Sequence, residues 1–326
     1  MCGIAGIFGL EGLPTPVEKV EGMLQKMDHR GPDAQGVWQG SNVVLGHKRL
    51  SIIDLKEASN QPFLSEDGRY TLIFNGEIYN YQQIRSQLSA EFDFQTDSDT
   101  EVLLNAYRKW GRKALQLLNG MFAFAIWDAQ KESLFIARDR VGIKPLYYAQ
   151  VYEHFIFGSE LRAILSTGLV ERKIGRSAVS EFLRFQTVHA PNTLIQGVKS
   201  LPSGHFIEWQ DNEMKIEAFW KPWQQYHFDQ DPILIQKNIR EKLTQSIERR
   251  LIADVPLGAF LSGGIDSSLL VGIAKNNLDV KLDTFNVSFD ESEFSESKYA
   301  RIVAKKFGSN HHEINLQPQA LLDSLP

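Results

Sequence analysis

Asp254 to Ser268 reads DVPLGAFLSGGIDSS: an apolar run ending at Leu261, two adjacent glycines, then a helix-compatible run from Leu269 to Lys275. That order predicts a strand, a glycine-rich turn and a helix start. Paired glycines let the backbone approach a ligand closely and take up positive φ angles. The N–H groups freed there, together with the helix N-terminus, form an anion site suited to phosphate. Ser262, Ser267 and Ser268 add hydroxyl donors, and Asp266 adds a carboxylate able to position a donor or hold a metal. No lysine follows Gly263 and Gly264, so the loop is not of the kind that transfers a γ-phosphate. Plain turn punctuation is the alternative reading of the two glycines.

Downstream, Lys281 to Phe289 (KLDTFNVSF) predicts a second strand and Ser295 to Phe307 a helix with Tyr299, Ile302, Val303 and Phe307 inward. His311 opens a third strand, and strands alternating with helices at this spacing imply a parallel sheet. Nucleotides sit beyond the carboxyl ends of such strands. His311 and His312 are adjacent, so a strand turns them to opposite faces and no metal pair is expected. Upstream, Ile235, Ile239, Leu243, Ile247 and Leu251 mark one stripe of a long helix, read as a core-packing face.

A chain of 326 residues has room for two domains, each with its own core. With 43% hydrophobic and 23% charged residues it is an ordinary globular composition. A net charge of -5 leaves no basic footprint for nucleic acid. No apolar run reaches membrane-span length, and the N-terminus lacks a basic region and meets Glu11, so neither a membrane nor a signal peptide is expected. One cysteine excludes an internal disulfide and fits a reducing, cytoplasmic setting.

That cysteine is Cys2, directly after Met1, opening the apolar strand CGIAGIFG. Removal of Met1 would leave an α-amine, with an ordinary pKa of about 8, beside the thiol as its own base. Thr15 to Met27 predicts an amphipathic helix, broken by His29-Arg30-Gly31-Pro32-Asp33. Val43 to Ile53 (VVLGHKRLSII) reads as a strand with Arg49 at its edge, a guanidinium able to hold a carboxylate by two parallel bonds or simply a solvated charge. Tyr70 to Tyr81 (YTLIFNGEIYNY) reads as a buried strand, an Asn75-Gly76 turn, and a helix from Tyr79 to Leu88. Asn75 and the Gly76 N–H are either that turn or two donors aimed at an oxyanion. Asp97, Ser98 and Asp99 stand where caps of a helix from Thr100 to Trp110 belong. Gly120 to Asp128 and Ser133 to Tyr148 read as strands, with Arg138, Asp139 and Arg140 in an ion-paired turn.

These motifs carry a resemblance over essentially the whole chain. SGGIDSS after an apolar strand resembles the pyrophosphate loop of ATP pyrophosphatases, and DVPLGAFLSGGIDSS resembles that of glutamine-dependent asparagine synthetases. CGIAGIFG, HRGPD and NGEIYN resemble the class II glutamine amidotransferase half of the same family. The resemblance implies an α+β N-terminal-nucleophile hydrolase of four layers, αββα, at 2–220. It implies a linker at 221–233 and the first part of an α/β parallel-sheet ATP-pyrophosphatase domain at 234–326. It implies Cys2 as nucleophile, with Asn75 and Gly76 as the oxyanion hole. Glutamine would be held by Arg49 on its carboxylate, Asp99 on its amine, the backbone of Leu50, Ser51, Ile52 and Ile53, and Asn75, Gly76 and Glu77. ATP would meet Leu261, Ser262, Gly263, Gly264, Asp266, Ser267 and Val287, with Mg2+ bound alongside it. The RDxxGxxPLYY string is taken as scaffold. The implied overall reaction converts aspartate to asparagine through an acyl-AMP, in a homodimer. The family's second SGxGxDE-type loop does not occur before Pro326, so the chain reads as cut short, a fragment or a short natural relative. Rival readings are a relative that amidates another carboxylate and a non-catalytic module on the same fold.

Overall fold

The structure, a computed structural model, describes residues 1–210, 213–224, 231–278, 280–290 and 295–323. It divides into two compact units, Met1–Tyr226 and His227–Pro326.

The first unit begins with β1 (Gly3–Phe8), α1 (Pro16–Gln25), β2 (Ala34–Gln39), β3 (Val43–Arg49), β4 (Phe63–Leu64) and β5 (Tyr70–Ile78). It continues through α2 (Tyr81–Leu88), α3 (Asp99–Trp110), α4 (Ala114–Leu117), β6 (Gly120–Asp128), β7 (Ser133–Arg138), β8 (Tyr147–Val151) and β9 (His154–Gly158). It ends with α5 (Leu161–Ser166), α6 (Arg176–Phe185), β10 (Val198–Ser200), β11 (His205–Gln210) and β12 (Glu213–Ala218). The strands form two six-stranded sheets, ordered β10-β8-β9-β1-β3-β2 and β12-β11-β7-β6-β5-β4. Every pairing in both is antiparallel.

Alternation explains the layering. Ile4, Phe8, Val43 and Leu45 of the first sheet meet Ile73, Ala125, Trp127 and Ile136 of the second in one buried cluster. The opposite face of the first sheet (Ala5, Ile7, Val44, Ile156) is covered by Val20, Met23 and Leu24 of α1 and by Ala163 and Ile164 of α5. The outer face of the second sheet carries Phe124, Phe135 and Phe206, with Tyr107 of α3 5.0 Å from the Phe135 ring. The result is helix, sheet, sheet, helix.

Two boundaries differ from expectation. α1 starts at Pro16, where a missing N–H costs nothing, and Thr15 before it is left-handed at φ 47°. β3 ends at Arg49, because β1 and β2 both stop pairing there and Leu50 to Ile53 run free of the sheet. Arg49 is therefore at the end of a central strand, not on a sheet edge.

In the second unit, α7 (Pro232–Arg249) leads to β13 (Gly258–Phe260), α8 (Ile265–Leu278), β14 (Asp283–Ser288), α9 (Ser297–Phe307), β15 (Asn310–Asn315) and α10 (Pro318–Asp323). β13, β14 and β15 lie side by side and parallel. The expected linker overlaps α7, whose first turn is capped by Asp231 accepting the Ile233 N–H at 2.9 Å; residues 225–230 of that linker lie outside the described residues. The α7 stripe is not a buried face: Ile239 is 52% exposed, and only Ile247 reaches the small cluster of Leu261, Val271, Ala274, Leu282, Ala300 and Ala304. On α9, Tyr299 and Ile302 are exposed and the inward residues are Ala300, Val303, Ala304 and Phe307. Small side chains face inward because the glycine loop packs directly on the helix backbone there. Among the described residues no helix is long and apolar enough to cross a membrane.

Candidate active site

Asn75 and Gly76 do not form a turn. They lie inside β5, paired with Ala123 and Phe122 of β6, and the helix starts only at Tyr81. A turn dipeptide is overridden because β6 pairs with β5 along its whole length. Glycine is needed at 76 for space: a Cβ would collide with the Met121 carbonyl and come within 2.8 Å of the Phe122 Cα.

β4 covers β5 only at Thr71 and Leu72, so the edge beyond is open. Alternate residues of an antiparallel strand turn their N–H and C=O to the same side. On that open edge Phe74 gives its N–H to Gln61 Oε1 at 2.6 Å and receives the His47 ring at 3.0 Å on its carbonyl. The Ile78 N–H goes to Asp99 Oδ2 at 2.9 Å. Gly76 stands between them with the same parity, so its N–H faces the same side, into a cavity of about 300 Å³. The Asn75 side chain lines this cavity too, and both of its polar atoms are buried without a hydrogen-bond partner among the described residues.

Cys2 stands at the mouth of β1 in the same cavity. Its Sγ lies 3.4 Å from the Leu50 N–H nitrogen and 3.5 Å from the Leu50 carbonyl oxygen. Burial holds the thiol above its ordinary pKa, and the Leu50 N–H, the chain's terminal amine and Lys144 offset this only in part. The HRGPD segment holds this end together. Arg30 donates from Nε to the Cys2 carbonyl at 2.8 Å and from Nη1 to Glu160 at 3.2 Å. A side chain at Gly31 would meet the Lys48–Arg49 backbone at 2.5 to 2.6 Å. Asp33 gives its N–H to the Arg49 carbonyl at 3.0 Å and accepts the Ser51 N–H at 2.7 Å.

Arg49, buried, lines the cavity with Leu50, Ile52 and Ile53. Its Nη1 donates to the Lys56 carbonyl at 2.9 Å and to Asn60 Oδ1 at 2.7 Å, and its Nη2 to the Asp54 carbonyl. Nε–H and one Nη2 hydrogen remain without a partner among the described residues. Asp99, the first residue of α3, is buried in the cavity wall, while Ser98 is the cap and accepts the Thr100 N–H at 3.1 Å. Desolvation, with the neighbouring Glu77 charge, raises the Asp99 carboxyl to about 7. Glu77 is half-buried in the same wall. Of the residues expected to hold glutamine, Ser51 alone is absent from the lining, its N–H being spent on Asp33.

Gln61, Met121, Ile143 and Lys144 also line the cavity, and residue-by-residue reading passes over all four. RDRVGIKPLYY contributes Ile143 and Lys144 to the cavity wall, and among the described residues its turn makes no ion pair, unlike the expectation. Asp139 binds backbone: Oδ1 accepts Val141 and Ile143 N–H at 3.2 and 2.9 Å, and Oδ2 accepts Lys144 and Phe122 N–H at 2.9 and 3.2 Å. Arg138 donates to the carbonyls of Lys144, Leu201 and Gly142 and to the Ser200 hydroxyl. The missed signal was the spacing of one aspartate before a glycine and a lysine.

In the second unit the SGG loop leaves β13 as expected. Gly263 is left-handed at φ 84°, and a Cβ there would fall 2.5 Å from the Tyr299 carbonyl carbon and 2.6 Å from the Ala300 nitrogen. Ser262 Oγ accepts the Gly264 N–H at 3.2 Å and lies 3.1 Å from Ser267 Oγ, at the start of α8. Leu261 is buried; its N–H goes to the Phe285 carbonyl at 2.8 Å and its carbonyl accepts Asn286 Nδ2 at 2.9 Å. Val287 and Asp266 are both exposed. Among the described residues no cluster of three or more His, Cys, Asp or Glu is placed to hold a metal.

Comparison with known proteins agrees with both halves. Residues 1–220 match the sequence model of the glutamine amidotransferase domain, and residues 238–326 that of asparagine synthase. The chain is 37% identical to asparagine synthetase [glutamine-hydrolyzing] 1 of Bacillus subtilis, over all of this chain and 52% of that protein. It is 35% identical to Amidase chry2 of Gibberella zeae, over 99% of this chain and 52% of that one. The chain thus spans about half the length of these curated relatives. Among solved structures, glutamine phosphoribosylpyrophosphate amidotransferase from B. subtilis superposes with a TM-score of 0.51 at 17% identity, covering all of this chain and 71% of that one. The first unit has the N-terminal-nucleophile hydrolase fold, followed by part of a parallel α/β sheet. By its matched residues, the chain belongs to the glutamine amidotransferase domain family, joined here to an asparagine synthase segment.

Proposed function

We propose that this chain carries the glutamine-hydrolysing half, and the ATP-loop end, of a glutamine-dependent asparagine synthetase. The observation that supports it most is the Asn75 amide. A buried amide with neither atom paired costs free energy, and here it lines the cavity that holds Cys2. Donors held ready before charge develops are what an oxyanion site requires.

With Met1 removed, the Cys2 α-amine takes the thiol proton. Sulfur attacks the glutamine side-chain amide carbon, and the carbonyl π electrons move to oxygen, facing Asn75 Nδ2 and the Gly76 N–H. Collapse of the oxyanion breaks the C–N bond, and the α-ammonium passes its proton to the departing nitrogen, which leaves as ammonia. Water then cleaves the thioester to glutamate and restores the thiol. Arg49 would take the glutamine carboxylate on its remaining Nε and Nη2 hydrogens, and Asp99 the ammonium.

The SGG loop and the N-terminus of α8 would cradle ATP phosphates. Mg2+ keeps most of its ligands from water and phosphate, so a single exposed carboxylate such as Asp266 fits it. When bound, the ion would neutralise phosphate charge. The overall reaction would adenylate aspartate and pass it ammonia, yielding asparagine, AMP and pyrophosphate. The likeness to Amidase chry2 supports a second reading, in which the acceptor is another carboxylate.

The test is glutamate release from glutamine by the purified chain beside Cys2→Ala, with mass spectrometry of the N-terminus. Release that disappears in Cys2→Ala is expected. A silent wild type with Met1 removed would overturn the glutaminase reading.

A further inference from the structure

β9 stops short of Cys2. It pairs with β1 from Phe155, opposite Phe8, to Gly158, opposite Ala5. The fully buried Ser159 carries the pairing one step further, giving its N–H to the Ile4 carbonyl at 2.9 Å and accepting the Ile4 N–H on Oγ at 3.0 Å. Backbone groups of alternate residues face the same side of a strand, so the Cys2 carbonyl faces the side that Ile4 faces. There the chain has already turned toward α5, which begins at Leu161. Arg30 takes the place of the missing strand, its Nε donating to the Cys2 carbonyl at 2.8 Å. A guanidinium held by one bond can still swing. Glu160, the residue after Ser159, stops it: Oε1 accepts Arg30 Nη1 at 3.2 Å. Oε2 accepts Arg162 Nε at 2.5 Å, and the His29 ring nitrogen Nε2 lies 2.8 Å from Oε1.

Resting on the reading of Cys2 as the nucleophile, we propose that Glu160 is a further positioning residue of this site, holding the Cys2 carbonyl in place through Arg30. The two side chains that make the link are sheltered, Arg30 at 7% and Glu160 at 17% exposed, while His29 and Arg162 flank them from the surface. Burial would raise the Glu160 carboxyl, yet Arg162, His29 and Arg30 hold it below its ordinary range, so it keeps its charge for Arg30 at neutral pH. Among the described residues Arg30 Nη2 has no partner, so Glu160 alone sets the turn of the guanidinium about its bond to Cys2. The Cys2 carbonyl is the backbone group next to the carbon that bears both thiol and amine. Holding it fixes where both stand, and the thiol's own contacts, 3.4 and 3.5 Å to the Leu50 backbone, are long. Attack on an amide carbon depends steeply on such placement.

Cys2 is the chain's only cysteine, so cysteine labelled with 13C at the carbonyl gives one resonance, and that resonance reports the bond from Arg30. It is recorded for wild type, Glu160→Ala, Arg30→Met and the double variant, with glutamine hydrolysis read on the same samples. In Glu160→Ala the resonance should move most of the way toward its position in the urea-unfolded chain. The kcat should fall about tenfold with KM within about twofold of wild type. In the Arg30→Met background, removing Glu160 should move the resonance no further, because the bond it supports is already gone. A resonance unmoved in Glu160→Ala overturns the proposal, as does an unchanged kcat or an equal displacement in the Arg30→Met background. Should Glu160→Ala not fold, the isosteric Glu160→Gln takes its place with the same readings. A moved resonance without hydrolysis by wild type would sink the glutaminase reading and leave Glu160 holding Cys2; hydrolysis with an unmoved resonance would do the reverse.

Discussion

The His47 ring donates to the Phe74 carbonyl at 3.0 Å, tying the first sheet to the second one residue before Asn75. A carbonyl only accepts, so Nε2 carries the hydrogen and Nδ1 is left bare, buried and without a partner among the described residues. Burial drives the His47 pKa down to about 3, so this tautomer persists throughout the neutral range.

His47→Leu removes the donor and leaves the Phe74 carbonyl unpaired on an edge no strand covers. We expect a stability loss of about 1–3 kcal/mol in urea unfolding. If the bond also positions Asn75, glutaminase kcat should fall about tenfold with KM little changed, and His47→Gln should recover part of it. A KM effect equal to the kcat effect would count against positioning.

Asp99 and His47 push stability in opposite directions with pH. The Asp99 pKa is raised in the folded state from 3.8 to about 7, so its contribution is full below 3.8 and is lost as pH rises toward 7. The His47 pKa is depressed from 6.5 to about 3, so its contribution is full above 6.5 and is lost as pH falls toward 3. Each slope is roughly 1.4 kcal/mol per unit, and between 3.8 and 6.5 they cancel. Asp99→Asn should therefore gain on wild type steadily from pH 4 to 7 and then keep a constant lead. Urea unfolding across that range checks it; parallel curves for the two proteins would contradict it.

Asn75→Ala and Gly76→Ala should part company. The first deletes an amide that bonds nothing among the described residues, so stability should hold or rise slightly while glutaminase kcat falls by about 10²–10³. The second drives a methyl group into the β6 backbone and should cost about 2 kcal/mol or more of fold stability. Equal unfolding midpoints for the two variants would contradict this account of the strand.

Gly263→Ala should weaken ATP binding at least tenfold, measured with a fluorescent nucleotide. The position combines φ 84° with backbone of Tyr299 and Ala300 too close for any side chain. Gly264→Ala, whose Cβ would meet only Ser262 Oγ at 3.3 Å, should be milder. The reverse order would show that the loop is not held against α9 as described.

What the chain's own pattern determined is local. Cys2 beside the terminus and the paired glycines at 263 and 264 could be read because their spacing and chemistry are carried within a few residues, while Arg49 and Asp99 stand out only by the resemblance. The strand–helix alternation of the second unit likewise foretold a parallel sheet, whereas the layers of the first came from the resemblance. What only tertiary structure decided depends on partners far along the chain. Asn75-Gly76 is strand because β6, more than forty positions away, pairs with it. Its edge is open because β4 ends early, and Gln61, His47 and Asp99 satisfy its neighbours but leave Gly76 facing the cavity. Lys144 joins the site because the Asp139 carboxylate trades an ion pair for four backbone N–H groups. Helical periodicity placed Tyr299 and Ile302 inside; the close approach of Gly263 to the α9 backbone turned the alanine face inward instead. Short-range sequence carries chemistry and period, while hydrogen-bond satisfaction and close backbone contact are settled between segments that meet only after folding.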